Sequence, residues 1–152
     1  MRKLSTILLV DDDHPTNFYH REIIREEEVC LHIEVAKNGE EALDYLLGPD
    51  GHKLSFILPG MLENAPEIIF LDINMHRMDG FEFLERFQKI PSEDRAGILV
   101  VMATTSDYFL DKEKAAAFPE VHEFIEKPIT PELLHRLHRE YEAQYAPFKK
   151  TA

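Results

Sequence analysis

The feature that most limits how this chain can fold is the regular exchange of short apolar runs for amphipathic stretches. Ile7-Leu8-Leu9-Val10 and Ile68-Ile69-Phe70-Leu71 are unbroken apolar quartets. A strand apolar on both faces must be covered on both, which is the condition of a parallel sheet wrapped by helices. Strands are predicted at residues 6–10, 30–36, 67–71, 98–103 and 123–126. Between them, residues 14–28, 39–47, 80–90, roughly 106–118 and 131–145 carry helical spacing. Thr130 is a good N-cap for the last helix, with Pro131 at its first position and Glu132 next. Ser106 is the expected cap of the fourth.

Five strand–helix units joined by right-handed crossovers leave few topologies. The flavodoxin-like, doubly wound five-stranded parallel sheet, order 2-1-3-4-5, flanked by five helices, is the leading one. Ligands of such sheets sit beyond the carboxyl ends of the strands. Asp11-Asp12-Asp13, Asp72 and Thr104 would therefore share one edge. The length of 152 residues fits one domain, expected over residues 1–146, with 147–152 as a short tail. Residues 48–66 form an extended loop of 19 residues before the third strand. A loop so long inside a domain is functional or disordered in most cases. Phe56, Ile57, Leu58, Met61 and Leu62 argue for packing over a neighbouring helix or for a partner contact, and the two stay open.

Composition narrows the partners. A formal net charge of −12 argues against nucleic acid, whose phosphates need clustered Lys and Arg. Cys30 is the single cysteine, so no internal disulfide is available. The apolar stretch near the N-terminus stops at three aspartates, and no apolar window is long enough to span a membrane. The expectation is a cytoplasmic, soluble protein without a membrane partner.

Asp72 carries the functional argument. A carboxylate ending so apolar a run is costly to bury unpaired, so it should surface in a site. With the aspartates of the first strand it forms a repelling group: a pair ~4.5 Å apart at effective dielectric ~20 costs roughly 4 kcal/mol. A hard divalent cation with oxygen ligands relieves that. Lys127, after the fifth strand, adds an ammonium, and Thr104 a hydroxyl. Nucleophilic carboxylate, metal, cation and hydroxyl are the equipment for forming an aspartyl phosphate.

These landmarks, in this order at strand ends, resemble the receiver domain of two-component response regulators over essentially the whole chain. The landmarks are Asp11 and Asp12, then Asp72, then Thr104, then Lys127-Pro128. The resemblance implies that Asp72 accepts a phosphoryl group from a sensor histidine kinase or a phosphotransfer protein. It implies Mg²⁺ (or Mn²⁺) on Asp12, Asp72 and the backbone carbonyl of Asn74, with Asp11 acting through water. Lys127 would pair with the phosphoryl group. Thr104, with Thr105 beside it, would form the hydroxyl switch, and Phe124 would stand at the aromatic switch position. A cis Lys127-Pro128 bond is implied as well. The signal would pass to a downstream protein target not identified by the sequence. A homodimer through the fourth helix, fifth strand and fifth helix is left open. Activity would be limited to the chain's own phosphoryl transfer and dephosphorylation.

Three departures accompany the resemblance. His76 stands where the family usually has Pro, which predicts a more mobile loop after Asp72. Asp13 is ambiguous by one register and is assigned outside the metal shell. The long 48–66 stretch, with Thr104-Thr105-Ser106, resembles stand-alone receivers related to phytochrome response regulators. A phosphatase of the haloacid-dehalogenase type is the alternative, but it wants a second aspartate two residues after the nucleophile, where this chain has Asn74. A scaffold receiver that is never phosphorylated is the third reading. Of the histidines, His135 and His138 read as surface residues, and His14 and His20 as residues of the first helix near the site edge.

Overall fold

The computed structural model describes residues 2–105 and 109–149. Five strands form one parallel sheet in the order β2-β1-β3-β4-β5. These are β1 (Leu4–Val10), β2 (Cys30–Ala36), β3 (Ile68–Asp72), β4 (Leu99–Thr104) and β5 (Val121–Glu126). The predicted order holds. The apolar quartets of β1 and β3, with β4, occupy the buried centre, while the edge strands β2 and β5 carry exposed polar residues.

Strand periodicity divides the core in two. Leu8, Val10, Ile69, Leu71, Val100 and Met102 point to one face, and Ile7, Leu9, Ile68, Phe70, Leu99 and Val101 to the other. The first face is covered by α2 (Gly39–Leu47) and α3 (Gly80–Phe87), and by Ala115 from α5 (Phe109–Ala116). The second is covered by α1 (His14–Glu27) and α6 (Pro131–Lys149) through Ile24, Leu134, Leu137 and Tyr141.

Among the described residues six α-helices flank the sheet where five were predicted. The addition is α4 (Ser92–Arg95), a single turn between α3 and β4. It follows Pro91, whose fixed φ suits the entry to a helix, and it buries none of its residues, so no apolar periodicity marked it. The last helix runs to Lys149, past the expected start of the tail at 147. Helix α5 begins at Phe109, and the predicted cap Ser106 lies outside the described residues. No helix among the described residues is long and apolar enough to cross a membrane.

The 48–66 segment is an intramolecular cover. A 3₁₀ turn at Gly51–Lys53 folds it back, and Leu54, Ile57, Met61 and Leu62 pack against the core face under α2 and α3. The N–H groups of Glu63 (2.7 Å) and Asn64 (3.2 Å) both donate to the Leu46 carbonyl, and Asn64 Nδ2 donates to the Tyr45 carbonyl at 2.7 Å. These bonds satisfy carbonyls that the end of α2 would leave unpaired. Packing over a helix thus accounts for most of the segment, although Phe56 and Leu58 stay exposed.

Candidate functional site

Parallel register brings the functional side chains to one sheet edge. Val10 pairs with Leu71, and Asp72 with Ala103, so Asp11 and Asp72 leave neighbouring strands side by side. Thr104 ends β4 one residue beyond Asp72's partner, and its carbonyl accepts the backbone N–H of Lys127 at 2.7 Å. Lys127 Nζ donates to Asp11 Oδ2 at 2.5 Å and lies 3.1 Å from Asp72 Oδ1. All three side chains are at most 12% exposed. The Lys127-Pro128 peptide is cis, as expected.

The tripled aspartate separates into three roles. Asp11 is buried, and its Oδ1 accepts the Asp13 N–H at 2.9 Å while its Oδ2 holds Lys127. Asp13 caps α1 by accepting from the Thr16 N–H at 3.0 Å and from the Thr16 hydroxyl, bonds that lower its pKa. The cap leaves Asp12 free to face the loop after β3, where His76 Nδ1 sits 3.2 Å from Asp12 Oδ2.

Carboxylate oxygens of Asp11, Asp12 and Asp72 lie within 4.8 Å of one another. Lys127 neutralises only part of that charge, and all the donors are hard oxygens. The donor set fits a divalent cation of the Mg²⁺ type. Burial raises the Asp72 pKa to about 6; Lys127 opposes the rise and the charge of Asp11 adds to it. Burial alone would lower the Lys127 pKa, but its bond to Asp11 and the charge of Asp72 outweigh that and raise it.

Asn74 follows in the exposed loop after β3, so its backbone lies at the same edge. Thr104 is buried and Thr105 is exposed, lining a groove with Tyr19, His20, Lys127 and Pro128. Phe124 is half-buried against the α5 side of the core, opposite Met102 in the β4–β5 register. Thr104 shares the strand parity of Met102, which puts Thr104 and Phe124 on the same sheet face. His14 is exposed, beside Asp12 and Phe18. His138 corrects the surface reading: it is buried, bonded through Nε2 to the Arg2 carbonyl at 2.6 Å. A second group, His122, Glu123 and Glu140, is also close-set, but Arg136 binds both glutamates and offsets one of their two charges.

Two supports were not visible in the sequence. Gly80 opens α3 directly beneath the site: its N–H donates to the Ile73 carbonyl at 2.8 Å, and a Cβ there would lie 2.4 Å from the Asp72 carbonyl oxygen. Asn17, one turn into α1, donates to the Asp11 carbonyl at 2.9 Å. Asp79-Gly80 could have signalled the first, since Asp79 forms a capping box with Glu82. No local pattern marked the second.

Fold and site together define a doubly wound α/β protein with an acidic pocket bridged by a lysine at the carboxyl edge of the sheet. Residues 7–139 match the response regulator receiver domain family, and the chain belongs to that family. A two-component response regulator from Cytophaga hutchinsonii is similar at 27% identity and a TM-score of 0.77, covering 93% of this chain and 99% of that one. One from Legionella pneumophila superposes with a TM-score of 0.73 at 24% identity, covering 91% of this chain and 98% of that one. An uncharacterized 14.6 kDa protein of Leptolyngbya boryana is 27% identical over 93% of this chain and 92% of its own length. A protein-glutamate methylesterase/protein-glutamine glutaminase of Carboxydothermus hydrogenoformans is 30% identical over 80% of this chain, which spans only 29% of that enzyme. Receiver domains take a phosphoryl group on an aspartate and switch conformation, and they bind Mg²⁺ at an acidic pocket. That is the family function of this chain.

Proposed function

We propose that Asp72 is the phosphoacceptor. The observation that carries this is the Lys127 ammonium held between Asp11 and Asp72 at 2.5 and 3.1 Å. A cation so placed can pair with an incoming phosphoryl oxygen without leaving the site. One oxygen of Asp72 attacks phosphorus as the bond from phosphorus to the donor's imidazole nitrogen breaks. The imidazole keeps that electron pair and takes a proton. Asp12, Asp72 and the Asn74 carbonyl would hold Mg²⁺ (or Mn²⁺), with Asp11 acting through water; the ion supplies charge neutralisation on the transferring group.

Thr104 would then bond the phosphoryl oxygen, with Thr105 next to it, and Phe124 would follow on the same sheet face. Asn74, standing two residues after Asp72, supplies no general acid, which favours a lasting phosphoaspartate over turnover and so a switch over an enzyme. Residues 1–146 act as a single receiver domain in the manner of stand-alone receivers related to phytochrome response regulators, in the cytoplasm. The phosphoryl source is a histidine kinase or a phosphotransfer protein, and the output passes to a protein target. The face for it, α5–β5–α6, is the one that would also serve a homodimer.

Incubation with phosphoramidate and Mg²⁺, followed by intact mass, tests the proposal. One phosphoryl adduct is expected on the wild type and none on Asp72→Asn. No wild-type adduct, or an undiminished one on the variant, overturns it. Rapid multiple turnover of a phosphomonoester would replace it with the phosphatase reading.

A further inference from the structure

His20 takes no part in the chemistry above, yet it is buried on the inner face of α1 beside the site. Its Nε2 accepts the backbone N–H of Ile129 at 3.1 Å, a contact between residues 109 positions apart. Ile129 directly follows Lys127-Pro128. The loop that carries Lys127 is therefore tied at two points, by the Thr104 carbonyl on its β5 side and by the His20 ring on its α6 side. Asn17, three residues earlier on the same helix, holds the Asp11 carbonyl. Both residues line a cavity of about 10 Å³, shared with Asp11, Asp72, Ala103 and Lys127, and Asn17 Oδ1 takes no partner there among the described residues.

Resting on the phosphoacceptor reading, we infer that His20 is a positioning residue for Lys127, setting where its ammonium meets the phosphoryl group. To accept from Ile129, Nε2 must be bare and the ring proton must sit on Nδ1. Burial, then the nearby Lys127 charge, pushes the His20 pKa down to about 4, so the ring is neutral at physiological pH. A neutral imidazole can stand beside an ammonium without repelling it. Its hydrogen bond is to the Ile129 N–H and not to an oxygen assigned to Mg²⁺. Its loss should therefore weaken phosphoryl transfer and spare metal binding.

Met and Gln have similar length and shape but differ in acceptor strength, so His20→Met and His20→Gln separate packing from hydrogen bonding. Mg²⁺ affinity is measured by calorimetry, the phosphorylation rate by intact mass at saturating Mg²⁺ with phosphoramidate, and folding by thermal melting. For His20→Met, Mg²⁺ affinity should stay within about twofold of wild type while the rate falls roughly tenfold, the scale of one lost buried hydrogen bond. His20→Gln should restore most of the rate. A His20→Met protein that phosphorylates like wild type overturns the inference. So does parallel loss of metal affinity and rate in both variants, or a Met variant that unfolds where the Gln variant folds, since each makes the bond merely structural. Failure of the wild type to form any adduct overturns the phosphoacceptor reading itself, and the inference with it.

Discussion

Lys127 and Asp11 are joined across 116 residues by a 2.5 Å charge-assisted hydrogen bond, and the same ammonium lies 3.1 Å from Asp72. One cation thus serves two buried carboxylates from adjacent strands, with Asp12 close by and paired with an exposed imidazole. The site is short of positive charge. Its behaviour toward pH, metal and substitution follows from that deficit.

Asp72 titrates near 6 in the fold against 3.8 when free, so the folded state binds the proton more tightly than the unfolded state does. Below the lower value both states are protonated and the group contributes nothing. As pH rises through the window from 3.8 to about 6, folding loses stability, and above it the loss is complete. Asp72→Asn should therefore raise stability at pH 7.5 without metal by roughly 1–3 kcal/mol, less at pH 4.5. Urea denaturation at the two pH values reads the difference. A variant no more stable than wild type at pH 7.5 would mean that the Lys127 contact already offsets the burial of Asp72.

Lys127→Ala leaves two buried carboxylates facing each other. Breaking a buried pair in this way costs about 3–5 kcal/mol. Mg²⁺ at millimolar concentration should return much of that, since a ligand at 100 times its Kd stabilises by about 2.7 kcal/mol. Chelation should remove the gain. Melting curves with Mg²⁺ and with a chelator decide it; a deficit indifferent to Mg²⁺ would place the metal elsewhere.

Gly80→Ala should destabilise the fold by about 2–3 kcal/mol, because the new Cβ would meet backbone 2.4 Å away. The displaced atom is the carbonyl of Asp72, so the phosphorylation rate should fall as well. Measuring both in one protein separates a local shift of β3 from general loosening. Unchanged stability would show that α3 can move away freely.

The central strands and their order were legible because burial on both faces demands uninterrupted apolar runs, and such runs are visible in one dimension. Edge strand β5 was read two residues short at its end nearest α5, starting at 123, where partly buried Val121 and exposed His122 hide the pattern. Helix α4 escaped because a single exposed turn carries no periodicity. The same limit applied to His138, whose burial depends on the Arg2 carbonyl arriving from the other end of the chain.

By itself the sequence determined the sheet, the edge on which the carboxylates gather and the residue types that make phosphoryl chemistry available there. Those follow from local hydrophobicity and from topology, which short-range patterns encode. Only the tertiary structure decided how the three aspartates divide: Asp11 on Lys127, Asp12 beside His76 and Asp13 on its own helix. It alone also brought His20 to Ile129 and folded residues 48–66 over α2. Each of these is a directional contact between distant segments. Its energy depends on ångström-scale placement, which exists only once the chain has packed.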